Sequence, residues 1–220
     1  MIIQEMRVVM EKALEKIDEI ETKILTELTY HNFKKKRKNL YVRKVNDCVQ
    51  SICILETKQK SRREVHISIV VGFTYEKVNE VISYLRGEKY NSKWQTASIN
   101  MSTLISNNTP YGFNINEETE VDKVVEDIVG NIEKYSLVFL DENAELRKYY
   151  TKLRERDAMV TVATMALNKP EWNLLALSIL IDSGSSEQII DEYESEFKKR
   201  KFAKEELQYK VMNIGKEHLL

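Results

Sequence analysis

The sequence predicts an α+β protein: a mainly antiparallel sheet of four or five strands covered by helices, followed by an all-helical C-terminal segment. Three observations lead there. Residues 39–73 read as three strands in succession, 40–44, 49–57 and 64–73; in the last, Val65, Ile67, Ile69 and Val71 alternate with His66 and Ser68, the period of a half-buried antiparallel strand. Amphipathic helical stretches flank this region on both sides. Beyond about residue 141 strand signals stop and helical ones repeat, so the chain divides into a sheet domain, 1–140, and a helical-hairpin domain or extension, 141–220.

The first element, 2–29, carries Ile3, Met6, Met10, Ala13, Ile17, Ile20 and Ile24 on one face, widened by Leu14 and Leu28. Such a broad stripe suits packing on the protein's own sheet. Because the same residues satisfy a heptad for about three repeats, the alternatives are a monomer or a homodimer through this helix. The run Lys34-Lys35-Lys36-Arg37-Lys38 follows. It is expected to be a solvated loop, with a nucleic-acid contact as the other reading.

After the three strands, Tyr75, Val78, Val81, Ile82 and Leu85 share a helical face, with Thr74 placed to cap its start and Gly87 its end. A fourth strand is expected over 94–101, a polar loop over 102–110, and a short strand over 111–115. A second sheet-covering helix, 117–135, starts with Glu117 and Glu118, which complement its dipole, and carries Val121, Val124, Val125, Ile128 and Ile132 as its stripe. Five helices then follow at 142–156, 158–167, 170–181, 185–199 and 204–214, with connections so short that neighbours must run antiparallel. Pro170 opens one of them, Gly184 closes it, and Trp172 belongs to the core.

Bulk composition narrows the function classes. With 220 residues, 42% of them hydrophobic, the chain builds a real core, and only 6 Gly and 2 Pro leave little for irregular loops. The 34 basic and 35 acidic residues nearly cancel, so no global field draws the protein to nucleic acid or an anionic membrane. Cys48 and Cys53 are too few for a disulfide framework and not spaced as a zinc knuckle, which fits a reducing cytoplasm. Gln4, Glu5 and Arg7 interrupt the N-terminus, against a signal peptide. The longest apolar cluster, 174–181, is about half the ~18 residues of a membrane span.

The phrase running from Tyr30-His31-Asn32-Phe33 through the basic run to Asn39-Leu40-Tyr41-Val42-Arg43, with a strand at 52–57, resembles a bacterial family known as a domain of unknown function. So do Thr103-Leu104-Ile105, Tyr111-Gly112-Phe113-Asn114-Ile115 and Tyr135-Ser136-Leu137-Val138-Phe139-Leu140. The resemblance covers about 17–140. It implies a helix-flanked antiparallel sheet and no particular chemistry. Gly112-Phe113 stands where that family usually carries paired tryptophans, and Arg37 where it carries a glycine.

Residue types that could do chemistry are scattered. His31, His66 and His218 form no pair with metal-ligand spacing, so no metal site is expected. His66 and Ser68 share a strand face but lack an acidic orienter, Cys53 lies among Ile52, Ile54 and Leu55, and no phosphate-cradling glycine loop exists. Neither catalytic residues nor a cofactor are assigned. What remains is the less apolar sheet face, where Tyr41, Arg43, His66, Ser68, Trp94, Ser98 and Asn100 fall; the alternative is that helices cover it. The expectation is a non-enzymatic cytoplasmic protein-binding module, immunity- or antitoxin-like, contacting a protein partner through Tyr41, Arg43, His66, Trp94 and Asn100. The alternatives are nucleic-acid binding through Lys34, Lys35, Lys36, Arg37 and Lys38, and a hydrolase with an unrecognised site.

Overall fold

A computed structural model describes residues 2–59, 61, 63–105, 110–165, 168–181 and 183–217. The α+β class holds. Helix α1 (Ile2–Tyr30) leads into strands β1 (Lys34–Arg37), β2 (Leu40–Val45), β3 (Cys48–Gln59) and β4 (Glu64–Tyr75). Helix α2 (Glu76–Arg86), β5 (Ala97–Asn100), α3 (Met101–Ile105) and β6 (Phe113–Ile115) follow, then α4 (Val121–Asn131), a π-helical stretch (Ile132–Leu137) and α5 (Val138–Glu142). The sheet order is β1-β2-β3-β4-β5, with β6 paired antiparallel to β4.

The chain sorts into two compact units, Met1–Val45 with Val49–Gly72 and Ile99–Asp141, and Asn46–Cys48 with Phe73–Ser98 and Glu142–Leu220. In the first unit, α1 buries Ala13, Ile17, Ile20, Ile24 and Leu28 inside the chain. The helix packs on α4, and its lysines reach that helix and the turn before it: Lys23 to Asp122 in its first turn at 2.6 Å and Lys12 to Glu117 in the preceding turn at 3.0 Å. Val65, Ile67, Ile69 and Val71 of β4 are buried, as their alternation requires. With glycine scarce, asparagines take the left-handed positions of the first two hairpin turns, Asn39 (φ +64°) between β1 and β2 and Asn46 (φ +54°) between β2 and β3, while Arg63 (φ +55°) takes that between β3 and β4.

Several local expectations are corrected. The basic run is mostly strand β1, because pairing with β2, Lys34 opposite Val42 and Lys35 opposite Tyr41, supplies what five like charges could not signal. Residues 94–96 lie outside any strand, and 101–105 form α3, whose first turn is held by Ser102 N–H donating to Asn100 Oδ1 at 2.9 Å. Tyr75, not Thr74, is the residue before α2. The helix expected over 117–135 starts later, at Val121, and runs through the π-helical stretch. His218 and 106–109 of the expected loop lie outside the described residues.

The second unit is built on α8 (Pro170–Ile181), whose residues from Glu171 to Ile179 are all buried. A helix apolar nearly all round must be wrapped. Around it stand α2, α6 (Leu146–Arg154), α7 (Ala158–Met165) and α9 (Ser186–Glu192). Trp172 is fully buried, edge-on to Phe197 at 4.8 Å and Phe202 at 4.9 Å. Phe73, Tyr75 and Tyr149 make a second aromatic group, in which Tyr75 donates to the Asn143 carbonyl at 2.7 Å. The helix expected over 185–199 is two, α9 and α10 (Glu194–Lys199), divided at Tyr193, and α11 (Lys204–Glu217) closes the unit.

Candidate functional site

In the first unit, the β1–β2 hairpin lies against α1 and brings the basic run together with carboxylates from two other elements. Glu21 of α1 is 2% exposed, one of the few buried acidic groups, and its Oε1 has no hydrogen-bond partner. Lys35 Nζ lies 3.5 Å from its other oxygen. Lys38 Nζ sits 3.4 Å from Asp18 and 3.6 Å from Glu56, which also accepts from Asn39 Nδ2 at 2.5 Å. Tyr41 OH donates to the Glu21 carbonyl at 3.3 Å.

Burial sets the protonation of this group. It pushes the Glu21 carboxyl up, against the pull of Lys35 and Lys38. The Tyr41 phenol and the Cys53 thiol also rise through burial, with the negative charge of Glu21 adding to each while Arg37 opposes the rise at Cys53. A thiol so placed is a poor nucleophile. For Lys38, burial works against the charge and is outweighed by Glu56 and Asp18, so its pKa is raised.

The residues expected to line a partner face do not form one exposed patch. Tyr41 is fully buried, because its strand faces α1 there. Arg43 is 11% exposed and its guanidinium is occupied: Nε donates to Gln50 Oε1 at 2.6 Å, Nη1 to the His31 carbonyl at 3.2 Å and Nη2 to Asp141, while the fork lies over the Phe33 ring at 4.8 Å. His66 bonds Asn114 Oδ1 through Nδ1 at 2.8 Å, its cross-strand neighbour on β6. Asn100 caps α3. Trp94 is half-buried, and its carbonyl accepts from Asn79 Nδ2 at 2.9 Å; it falls in the second compact unit, whereas Tyr41, Arg43, His66 and Asn100 fall in the first.

What the hairpin does expose is β1 itself. All four of its residues are exposed, and the strand ends the sheet order. The sequence reading missed Glu21, Glu56, Gln50 and Asp141. A signal for Glu21 was present: it stands four residues after Ile17 and three before Ile24, a carboxylate inside an apolar stripe. The other three are recognised only by what reaches them.

Among the described residues no group of three or more His, Cys, Asp or Glu is placed to hold a metal ion, and no described helix is long and apolar enough to cross a membrane. No protein-family model matches the chain, and no curated protein or solved structure matches it.

Proposed function

We propose that this chain is a non-enzymatic protein-binding module acting in the cytoplasm, immunity- or antitoxin-like in kind, with the β1–β2 hairpin as its contact face. One observation carries the reading: Lys34, Lys35, Lys36 and Arg37 form an end strand whose every residue is exposed. A cationic strand presented at a sheet edge is a recognition element of the kind that gives specificity and fast encounter with a complementary surface. Asp18, Glu21 and Glu56 lie within 3.4 to 3.6 Å of Lys35 and Lys38, so the patch mixes both signs. A phosphate backbone rewards an uninterrupted cationic track, and this is not one. The mixture favours a protein surface.

The experiment is capture from lysate of the native host at moderate salt, by the wild-type chain and by a Lys34→Glu/Lys36→Glu/Arg37→Glu variant checked by circular dichroism. A stoichiometric protein retained by the wild type and lost by the variant is expected. Nuclease-sensitive nucleic acid as the sole captured species would replace this reading with nucleic-acid binding, and capture unaffected by charge reversal would move the contact face elsewhere.

A further inference from the structure

Resting on that reading, we propose the chemistry of the partner: an acidic, extended segment that adds to the outward side of β1 as a further strand.

The backbone supplies the first half of the argument. β1 is bonded to β2 on one side through the pairs Lys34–Val42, Lys35–Tyr41 and Arg37–Leu40, and among the described residues nothing follows it in the sheet order. An end strand offers a row of N–H and C=O groups, the template on which an extended peptide docks by β-augmentation. Main-chain bonds of this kind give affinity for any strand and discriminate among none.

Charge supplies the discrimination. Every side chain on β1 is a cation, so a second copy of this chain would bring four more cations to the same line, and self-addition is opposed. Carboxylates on alternate residues of an incoming strand would instead meet Lys34, Lys36 and Arg37 from outside, while Lys35 and Lys38 are already drawn toward Glu21, Asp18 and Glu56. Edge and charges therefore select the same occupant. The register shift between Lys35 and Arg37 makes β1 bulged as well as short, so the added strand gains regular pairing over only a few residues. A short acidic segment fits this edge better than a long hairpin.

The test uses the full-length chain and three ten-residue peptides, alternating Glu-Thr, Glu-Pro and Lys-Thr, read by titration and by amide hydrogen exchange. Glu-Thr is expected to bind and to slow exchange within 34–37. Glu-Pro carries the same charge but lacks the N–H of every second residue and is held near φ −65°, outside the range of a paired strand, and Lys-Thr has the same backbone with the wrong charge; both are expected to bind at least about tenfold more weakly. Lys36→Glu, an exposed change, should weaken Glu-Thr by about tenfold, a free-energy difference of about 1.4 kcal/mol. Equal binding of Glu-Thr and Glu-Pro, binding with exchange at 34–37 unchanged, or no binding at millimolar peptide would each overturn strand addition. A captured host protein whose cross-links avoid β1 would do the same while leaving the binding-module reading intact; that reading falls on its own if capture yields no protein at all.

Discussion

Arg43 and Gln50 share one carboxylate: Arg43 Nε donates to Gln50 Oε1 at 2.6 Å, and Asp141 Oδ1 accepts from both side chains, from Gln50 Nε2 at 3.3 Å. Gln50 also donates to the Leu140 carbonyl at 2.8 Å, and Arg43 to that of His31. One guanidinium thus joins β2, β3, the chain leaving α1 and the end of α5. Arg43→Ala removes the donors and leaves the buried Gln50 Oε1 unpaired, a loss of about 1–3 kcal/mol. Arg43→Lys should recover little, because an ammonium cannot reproduce the planar fork. Urea unfolding of both variants decides it; a cost below about 1 kcal/mol for the alanine variant would return Arg43 to the list of binding residues.

The same pair shows where the sequence was legible. The period of β4 and the stripe of α1 are written in their apolar residues, since burial of one face leaves an alternation that survives in the chain alone. β1 left no such mark: a strand made of four cations exists through its ladder to β2. Arg43 reads as an exposed anchor from strand parity, yet its partners lie 7 and 98 residues away, and no local pattern announces a bond of that separation. Glu21 was visible in principle as a break in a stripe, but its cation Lys35 arrives from the hairpin, and no local pattern announces that pairing.

Gly112 fills a close approach. A Cβ there would stand 2.7 Å from the Ile67 carbonyl oxygen and 2.8 Å from the His66 ring. The ring is able to move, but the backbone carbonyl of a central strand is not. Gly112→Ala is therefore expected to destabilise by about 1–3 kcal/mol, an overpacking cost. The double variant with His66→Ala should recover little of it. Thermal unfolding of both decides whether the carbonyl or the ring sets the penalty.

In the second unit, Asn79 is the hub of a buried polar group. Its Nδ2 donates to the Trp94 carbonyl at 2.9 Å, and its Oδ1 accepts from Thr96 Oγ1 at 3.2 Å and Asn168 Nδ2 at 3.4 Å. Asn79→Leu, close in volume, strands the Trp94 carbonyl and the Asn168 amide, while the Thr96 hydroxyl still faces the Tyr75 carbonyl at 3.4 Å, and should cost about 2–4 kcal/mol. Thr96→Val removes one spoke and also strands the Tyr75 N–H, which donates to Thr96 Oγ1 at 2.8 Å, so it should cost a comparable amount. A Thr96→Val loss well below that of Asn79→Leu would show that the Asn79 amide outweighs the Tyr75 bond.

Glu21 makes stability depend on pH in the direction opposite to a salt-bridged carboxylate. Burial raises its pKa above the ordinary value of 4.5, so the folded chain binds this proton more tightly than the unfolded chain does. Its contribution to stability is full below that ordinary value and is lost as pH rises through the higher folded value. Glu21→Gln keeps the shape and removes the charge. At pH 7 the variant should be the more stable, with the higher Tm, and the advantage should shrink to nothing as pH falls below the ordinary carboxyl value. A variant less stable than wild type at pH 7 would show that the Lys35 pair outweighs burial.

The lysines of β1 also carry a prediction that needs no partner. If their charge is what keeps one edge from pairing with another, Lys34→Thr/Lys36→Thr leaves a four-residue end strand with good strand propensity and half its charge gone. The fold should persist, since both positions are exposed and neither is drawn to Glu21 or Glu56 as Lys35 and Lys38 are. Sedimentation of the variant should shift with concentration toward larger species, well beyond any shift of the wild type. Salt separates charge from shape here: at about 1 M the screening length falls to about 3 Å, so the wild type should move toward the variant while the variant barely changes. Wild type and variant that sediment alike at every salt and concentration would mean that the bulge alone guards the edge.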